Sequence, residues 1–145
     1  AKLQLARMHN ARLQQAILTM AELEGAILHL AWLQEAGLGR AKLQGAKVLG
    51  ALLQGAYLWQ TEFDSETDLR VSDLRGTSFR DVDLTIALHF DKEIKKAFGD
   101  GSVILPDHIN WPTHWPRERL ERLDFSNKLE HFKAKLPPGW DAPKR

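Results

Sequence analysis

Histidine is the side chain in this sequence that is best suited to bind a metal or to transfer a proton near neutral pH, and the chain has six. His9 and His29 are twenty residues apart, and His108 and His114 lie in the segment "DHINWPTHWP". Two imidazoles without a third ligand bind a metal weakly, and no serine or carboxylate is spaced to pair with any of them. Histidine and tryptophan around prolines more often pack a cap than build a site. We therefore predict no catalytic residue and no metal site.

Other chemistries are excluded by features that the sequence lacks. There is no cysteine, which rules out thiolate ligands, a cysteine nucleophile and disulfides. No glycine-rich phosphate loop follows a strand and opens a helix. A formal net charge of +1 creates no overall field that would attract nucleic acid or a membrane surface. The sequence predicts a protein that is not an enzyme and uses no cofactor.

A five-residue period dominates the first part of the chain. The first position of each unit is alanine from Ala1 to Ala56, and the third position is large and apolar, as in Leu3 and Met8. An α-helix rotates residues five apart by about 140°, so these side chains would form no apolar stripe. A β-strand would place them on alternating faces. The pattern is satisfied if the chain turns a corner every five residues, which indicates a stacked solenoid.

Units such as "AELEG", "AKLQG" and "ALLQG", and the stretch "VSDLRGTSFRDVDL", resemble the pentapeptide-repeat family. The resemblance covers residues 1–86 in seventeen units, with Glu66 as one inserted residue that we expect to bulge outward at a corner. It implies an all-β solenoid, a right-handed quadrilateral β-helix of about four coils. The family favours Asn or Asp at the second position, and here Asp occurs there only at 68, 73 and 83. Surface charge is therefore not carried over from the family.

Stacking at twenty residues places particular side chains one above another at about the 4.8 Å spacing of neighbouring strands. Gln14, Gln34 and Gln54 form one predicted ladder on the solvated surface, and His9 lies above His29. Such cross-strand pairs contribute about 0.2–1 kcal/mol each and help to hold the register. A further ladder alternates in charge and consists of Lys2, Glu22, Lys42 and Glu62.

An aromatic strip is predicted on two neighbouring faces of this solenoid. Trp32 stacks with Leu52 on one face, and on the next face two glycines between bulky neighbours leave a hollow. Clustered exposed aromatics are more informative than apolar residues scattered singly. The chain's own tail, a second molecule or a small ligand could cover the strip. The residues of this candidate interaction surface are Ile17, Trp32, Gly37, Gly39, Leu52, Tyr57 and Trp59.

Residues 87–145 form the second predicted domain, a small and partly helical C-terminal cap. The stretch 91–98 has the pattern of a short amphipathic helix, and a second helix is predicted to begin at Pro116 and to end near residue 135. Asp124 or Ser126 is a possible interruption of that helix. The apolar residues of the cap are too many for a free tail. We expect them to cover the C-terminal edge of the solenoid and to return along the aromatic strip.

The segments "AFGDGSVILP" and "HWP" resemble a tail that follows the repeats in some bacterial members of the family. Certain of those members carry membrane spans upstream. This chain contains no run of the roughly twenty apolar residues that a membrane span needs, and it begins inside a repeat at Ala1. We therefore expect a piece of a longer bacterial protein in the cytoplasm, with an upstream membrane anchor as the open alternative.

Two functions of different classes are compatible with these features. The first is a non-enzymatic scaffold or protein–protein interaction module that binds a protein partner. Its N-terminal coil has no cap in this sequence, so either upstream residues cover that coil or it meets a second copy, which we favour. The second is a DNA mimic that regulates a type II topoisomerase, as the quinolone-resistance members of the family do. A mimic must be strongly acidic, whereas residues 1–60 carry six Lys or Arg and three Asp or Glu. We therefore favour the scaffold and expect no nucleic acid as partner.

Overall fold

The computed structural model describes residues 1–85 and 93–141. These residues build a β-helix solenoid in which parallel backbone bridges join residues twenty or twenty-one positions apart, such as Lys2 with Glu22. The predicted twenty-residue step is therefore confirmed. Four columns of bridges run along the solenoid, beginning at Lys2, Arg7, Arg12 and Ile17 and reaching Glu62, Asp68, Asp73 and Phe98.

The interior of the solenoid is filled by the alanines and large apolar residues of the five-residue period. The first-position alanines from Ala21 to Ala56 are completely buried, and the third-position residues from Leu23 to Leu58 are no more than 2% exposed. In the first coil, Leu3, Met8 and Leu13 are only partly buried. Among the described residues no coil stacks on their N-terminal side, so within this part of the chain their inner faces have fewer neighbours than those of later coils.

Each side of a coil is short because a corner follows after every few residues. The stretches long enough to form strands are Tyr57–Trp59 (β1) and Ser78–Arg80 (β2), which pair in parallel. Elsewhere in the described residues the pairing consists of single bridges, each supported by two backbone hydrogen bonds between the two coils that it joins. Lys42, for example, donates its N–H to Ala21 O at 2.9 Å and accepts a hydrogen bond from Leu23 N at 2.9 Å. The solenoid is thus all-β in pairing although it contains little extended strand.

Most corners place the last residue of a unit in the left-handed backbone region, and the corner at Glu66 is an exception. The N–H of Ala6 donates to Leu3 O at 3.1 Å and closes a turn in which Leu5 has a φ of 57°. Glycine adopts this conformation without strain, as at Gly25, whereas other residues lose about 1–2 kcal/mol. The non-glycine residues at positive φ are Leu5, Asn10, Gln15, Met20, Leu30, Glu35, Arg40, Gln60, Val71 and Asp81.

Glu66 is inserted at a corner, is exposed, and leaves the coils intact on both sides, as the sequence predicts. Asp64 organises this corner through its Oδ1, which accepts hydrogen bonds from Gly45 N at 2.9 Å and Glu66 N at 3.0 Å. Burial acts to raise the pKa of the Asp64 carboxyl, but these backbone hydrogen bonds hold it below its usual value. Pairing resumes at once, with Asp68 opposite Lys47.

Aspartates at the second position of later units fasten the chain that follows them. Asp68 accepts a hydrogen bond from Arg70 N at 3.1 Å and pairs with the Arg70 guanidinium at 2.9 and 2.7 Å. Asp73 makes the same set of contacts with Arg75. The hydrogen bond from the Arg70 side chain lowers the pKa of the Asp68 carboxyl. These aspartates therefore belong to the structure of the corners.

The solenoid continues beyond the predicted end of the repeats. Phe98 pairs with Ser78, and Ile104 pairs with Asp83, so residues predicted to belong to the cap form part of a further coil. The ladder of bridges therefore extends past residue 86, and the division of the chain into 1–86 and 87–145 stays a prediction. The five-residue spacing is broken in this coil, so the period does not predict that the solenoid continues there.

The predicted helix over 91–98 is also corrected in its described part. A single 3-10 turn spans Ile94–Lys96, and the chain is extended at Ala97; residues 86–92 lie outside the described residues. Ile94 and Ala97 are both buried. They occupy the interior positions that leucine and alanine hold in earlier units, and burial against the preceding coil outweighs the amphipathic helical pattern.

The C-terminal helix, α1, spans Arg122–Ala134, so it begins later than the predicted start at Pro116. The delay has a structural cause, because Asp100 Oδ2 accepts a hydrogen bond from Leu120 N at 2.7 Å and holds the preceding residues outside the helix. Asp124 and Ser126 lie within α1 and do not interrupt it. No helix of the described residues has the length and apolar character needed to cross a membrane.

The predicted ladders are aligned, but their environments differ from the expectation. His9 and His29 stack edge to face with ring centroids 5.4 Å apart. Gln34 is 6% exposed and Gln54 is fully buried, so the glutamine ladder is not solvated surface beyond its first member. In the charged ladder, Glu62 accepts a hydrogen bond from Gln44 at 2.7 Å. Neighbouring glutamines thus compete with lysines for the carboxylates.

Val71 is a β-branched residue at a corner, with a φ of 51° and 80% of its surface exposed. We predict that Val71→Asn increases the free energy of unfolding by about 0.5–1 kcal/mol, since asparagine tolerates the left-handed region and little packing is lost. Urea denaturation measures the change. Val71→Ala is the matched control, because alanine also removes the β-branch but lacks the polar side chain that lets asparagine hydrogen-bond locally in the left-handed region. An asparagine variant no more stable than the alanine variant would contradict this account.

Candidate interaction surface

Helix α1 returns along the solenoid and packs on its aromatic side chains. Phe125 lies edge to face against Trp59, with ring centroids 5.5 Å apart, and against Phe98 at 5.2 Å. Lys133 Nζ lies 4.9 Å from the Tyr57 ring centroid and 3.3 Å from its hydroxyl. The tail therefore returns along Tyr57 and Trp59, two of the three aromatic residues of the predicted strip. Both side chains remain partly accessible beside the helix.

Trp115 completes the interior of the last coil. A Cβ added to Gly99 would lie 2.6–2.9 Å from three atoms of the Trp115 ring, so the indole occupies the space that a leucine fills in earlier units. Its Nε1 donates to Ala97 O at 2.8 Å, and the side chain is 3% exposed. The cap thus supplies the large apolar group that the repeat lacks at this position.

The histidines considered for chemistry have structural contacts instead. His114 Nε2 also lies 2.8 Å from Ala97 O, and its ring is stacked on Phe132 with centroids 4.8 Å apart. His108 is exposed. Among residues 1–85 and 93–141, no group of three or more His, Cys, Asp or Glu is arranged to hold a metal ion.

Asp100 joins the cap to the last coil. The residue is fully buried, and its Oδ1 accepts hydrogen bonds from Ser102 N at 2.9 Å and Ser102 Oγ at 2.5 Å. Its Oδ2 accepts the hydrogen bond from Leu120 N. One carboxylate therefore satisfies donors from two segments of the cap, which places the first turn of α1 beside the solenoid.

An open groove of about 480 Å³ lies between α1 and the solenoid. Four of the seven predicted strip residues line it: Gly37, Gly39, Tyr57 and Trp59. The hollow expected from the two glycines is present, since a Cβ on Gly39 would approach Trp59 O only to 3.6 Å. The other lining residues are Thr19, Arg40, Gln60, Arg80, Asp81 and Arg122.

The remaining strip residues do not line this groove. Ile17 begins the same column and is 88% exposed. Trp32 and Leu52 pair in the neighbouring column, where the Arg12 guanidinium lies 5.3 Å from the Trp32 ring centroid. Leu52 is buried. The predicted strip is thus divided into a groove and a separate stacked column.

The family model for pentapeptide repeats (8 copies) matches residues 1–29. The five-residue period of such repeats is also the spacing of the corners in the first coils of the structure. The first coil and part of the second are therefore similar to pentapeptide repeats. Comparison with curated proteins gives no match.

Several solved structures of pentapeptide-repeat proteins are similar to this chain. HetL, involved in heterocyst differentiation regulation in the cyanobacterium Nostoc, is 25% identical over 74% of this chain and 56% of its own, with a TM-score of 0.26. Rfr23 from the cyanobacterium Cyanothece is 25% identical over 65% of this chain and 63% of its own, with a TM-score of 0.37. A protein of the Arabidopsis thaliana thylakoid lumen is 26% identical over 75% of each chain, with a TM-score of 0.36. The chain thus spans less than two thirds of HetL and Rfr23.

Sequence reasoning missed the polar residues of the groove, although the pentapeptide period contained part of the signal. Arg40, Gln60 and Asp81 are successive corner residues of one column, directly after Gly39, Trp59 and Arg80 in the chain. A predicted strip that included the next residue of each unit in this column would have contained them. Arg122 lies in α1, and the repeat pattern does not predict where this helix packs.

Replacing Gly99 tests whether Trp115 forms part of the interior of the solenoid. We predict that Gly99→Ala lowers the free energy of unfolding by about 1–3 kcal/mol, since the new methyl group displaces a rigid buried ring. The matched control is Gly39→Ala, where the added Cβ makes an ordinary contact of 3.6 Å. Urea denaturation measures both variants. Equal stability of the two variants would show that Trp115 does not fill this space.

Proposed function

We propose that this chain is a non-enzymatic scaffold that binds a protein partner in the groove beside α1. The observation that carries the proposal is that α1 covers the aromatic strip at Tyr57 and Trp59 and leaves the glycine floor open. A floor without side chains lets a partner's backbone approach the solenoid closely. Aromatic side chains at its border supply contact area with few rotatable bonds.

A regular coil geometry supports this function. We infer a right-handed, four-sided β-helix of about four coils, for which the four columns of bridges and the family resemblance are the support. Successive coils are joined by backbone hydrogen bonds, so the groove residues are held on a rigid element. Rigid placement lowers the entropy lost on binding.

The DNA-mimic alternative finds less support in the surface charge. The first members of three columns are Lys2, Arg7 and Arg12, and all three side chains are exposed. A mimic of duplex DNA needs a regular row of negative charge. The protein-binding scaffold is therefore the function that we favour.

A random-peptide phage library, selected on the immobilised full chain, tests whether the groove binds protein segments. We predict enriched peptides whose binding is lost in Gly37→Phe, since a Cβ at Gly37 meets only Thr19 Oγ1 at 3.8 Å and a larger side chain can enter the groove. Ile27→Phe, at the same position of a unit in the column of bridges that begins at Arg7, two columns away along the coil, is the matched control and should bind normally. Enrichment of no peptide, or peptides that bind Gly37→Phe equally well, would contradict the proposal.

We also infer that the N-terminal coil self-associates. The backbone groups of this coil that face away from the second coil lie at an edge. Arg7 N donates no hydrogen bond within the described residues, whereas the equivalent group one coil later, Ile27 N, donates to Ala6 O in the first coil. The partly buried interior of this coil is open on the same side. Unpaired edges of this kind readily pair with another chain.

Light scattering on the purified chain tests this inference. We predict an oligomer that Arg7→Pro shifts toward the monomer, because proline has no N–H to donate and its ring obstructs an incoming strand. The intramolecular ladder loses nothing, since Arg7 N is not used in it. Arg7→Ala, which keeps the N–H, is the control. A chain that is monomeric at high concentration, or an oligomer insensitive to proline, would overturn the inference.

A further inference from the structure

The groove beside α1 carries an excess of positive charge. Arg40, Arg80 and Arg122 line it, and Asp81 is the single carboxylate in its lining. Asp81 is already hydrogen-bonded to Arg119, which lies outside the lining. In the described part of the chain, none of the three lining arginines takes part in an ion pair. The protein therefore leaves their charges unneutralised.

Arg80 is held in place by contacts that do not cancel its charge. Its Nη2 donates to Leu120 O at 2.9 Å, and its guanidinium lies 5.7 Å from the ring centroid of Phe125. Its buried Nε has no hydrogen-bond partner within the described residues. A carbonyl and an aromatic ring orient a guanidinium, whereas a carboxylate would neutralise it through charge-assisted hydrogen bonds.

The shape of the groove suits an extended peptide. Its floor at Gly37 and Gly39 has no side chains, and Tyr57 and Trp59 border it. In an extended segment, alternate side chains point to opposite sides. One set can therefore face the arginines while the other contacts the aromatic rings, in the manner of other peptide-recognition grooves.

The surroundings of the groove favour a peptide over nucleic acid. Around the corner, Arg40 and Gln60 also line a second depression, whose other residues include Glu22 and Glu62. A duplex would bring rows of phosphates against these carboxylates, whereas a short segment can bind within the arginine cluster alone. The positive charge is local, which matches a short acidic segment.

We propose that this groove binds an extended acidic segment of a protein partner, whose Asp or Glu side chains pair with Arg40, Arg80 and Arg122. The proposal rests on the proposed function, because it names the chemistry of the partner for the same groove. Pairing with arginine selects carboxylates by charge and geometry, and the aromatic border adds contact area.

The peptides enriched in the phage selection serve as probes, synthesised with a fluorescent label and measured by fluorescence polarisation against the full chain. We expect them to be rich in Asp and Glu. We expect the double variant Arg40→Glu, Arg122→Glu to bind about tenfold or more weakly and added salt to weaken binding to the native chain. Lys128→Glu, an exposed change on α1 outside the groove lining, should leave binding unchanged. Peptides with Lys in place of Glu should recover affinity for the double variant.

Each contrary result has a distinct meaning. Peptides that lose binding in Gly37→Phe but are not acidic, or are insensitive to charge reversal, would overturn this proposal and leave the proposed function intact. Selection of no groove-dependent peptide would overturn both. A short DNA duplex that displaces an acidic peptide at similar concentration would show that the arginines recognise phosphate, and would overturn the acidic-segment proposal as well.

Discussion

A coil can stack on the next one only if the chain turns a corner after every fifth residue. Most of these turns place a residue at positive φ, and ten non-glycine residues of the described ranges adopt it at a conformational cost of about 1–2 kcal/mol each. Stacking opposes that cost, because each aligned unit gains backbone hydrogen bonds to its neighbours and buries an alanine and a large apolar residue. Corner, ladder and core are therefore interdependent, and none of them is stable without the other two.

The same constraint decides where the chain tolerates change. An extra residue within a side would shift every later side chain to the wrong face. Glu66 is inserted at a corner instead, where its side chain is exposed to solvent and the next coil keeps its register. The constraint also organises the surface, since outward residues form columns. Gly39 lies between Thr19 and Trp59 for this reason, and the groove is a consequence of the repeat.

The cap acts where the repeat fails. Gly99 leaves the last coil without a large interior side chain, and Trp115 fills that space from outside the repeat. Asp100 then fastens the chain that leads into α1 through Leu120. Capping the end of the solenoid and forming one wall of the groove are thus a single packing event, and it brings Arg122 to the same groove as Arg80.

The sequence by itself determined the solenoid and the corner at Glu66, because both depend on a local period repeated many times. The twenty-residue step, and with it the glycine hollow, was implied by the resemblance to pentapeptide repeats and supported by the ladders of side chains. The burial of Gln34 and the further coil at Phe98 could not be derived from the five-residue period, since both depend on which segments pack against each other. Only the tertiary structure decided the path of the tail, which has no period. The arginines of the groove come from a repeat column and from α1, and their meeting depends on contacts between residues that are far apart in the chain.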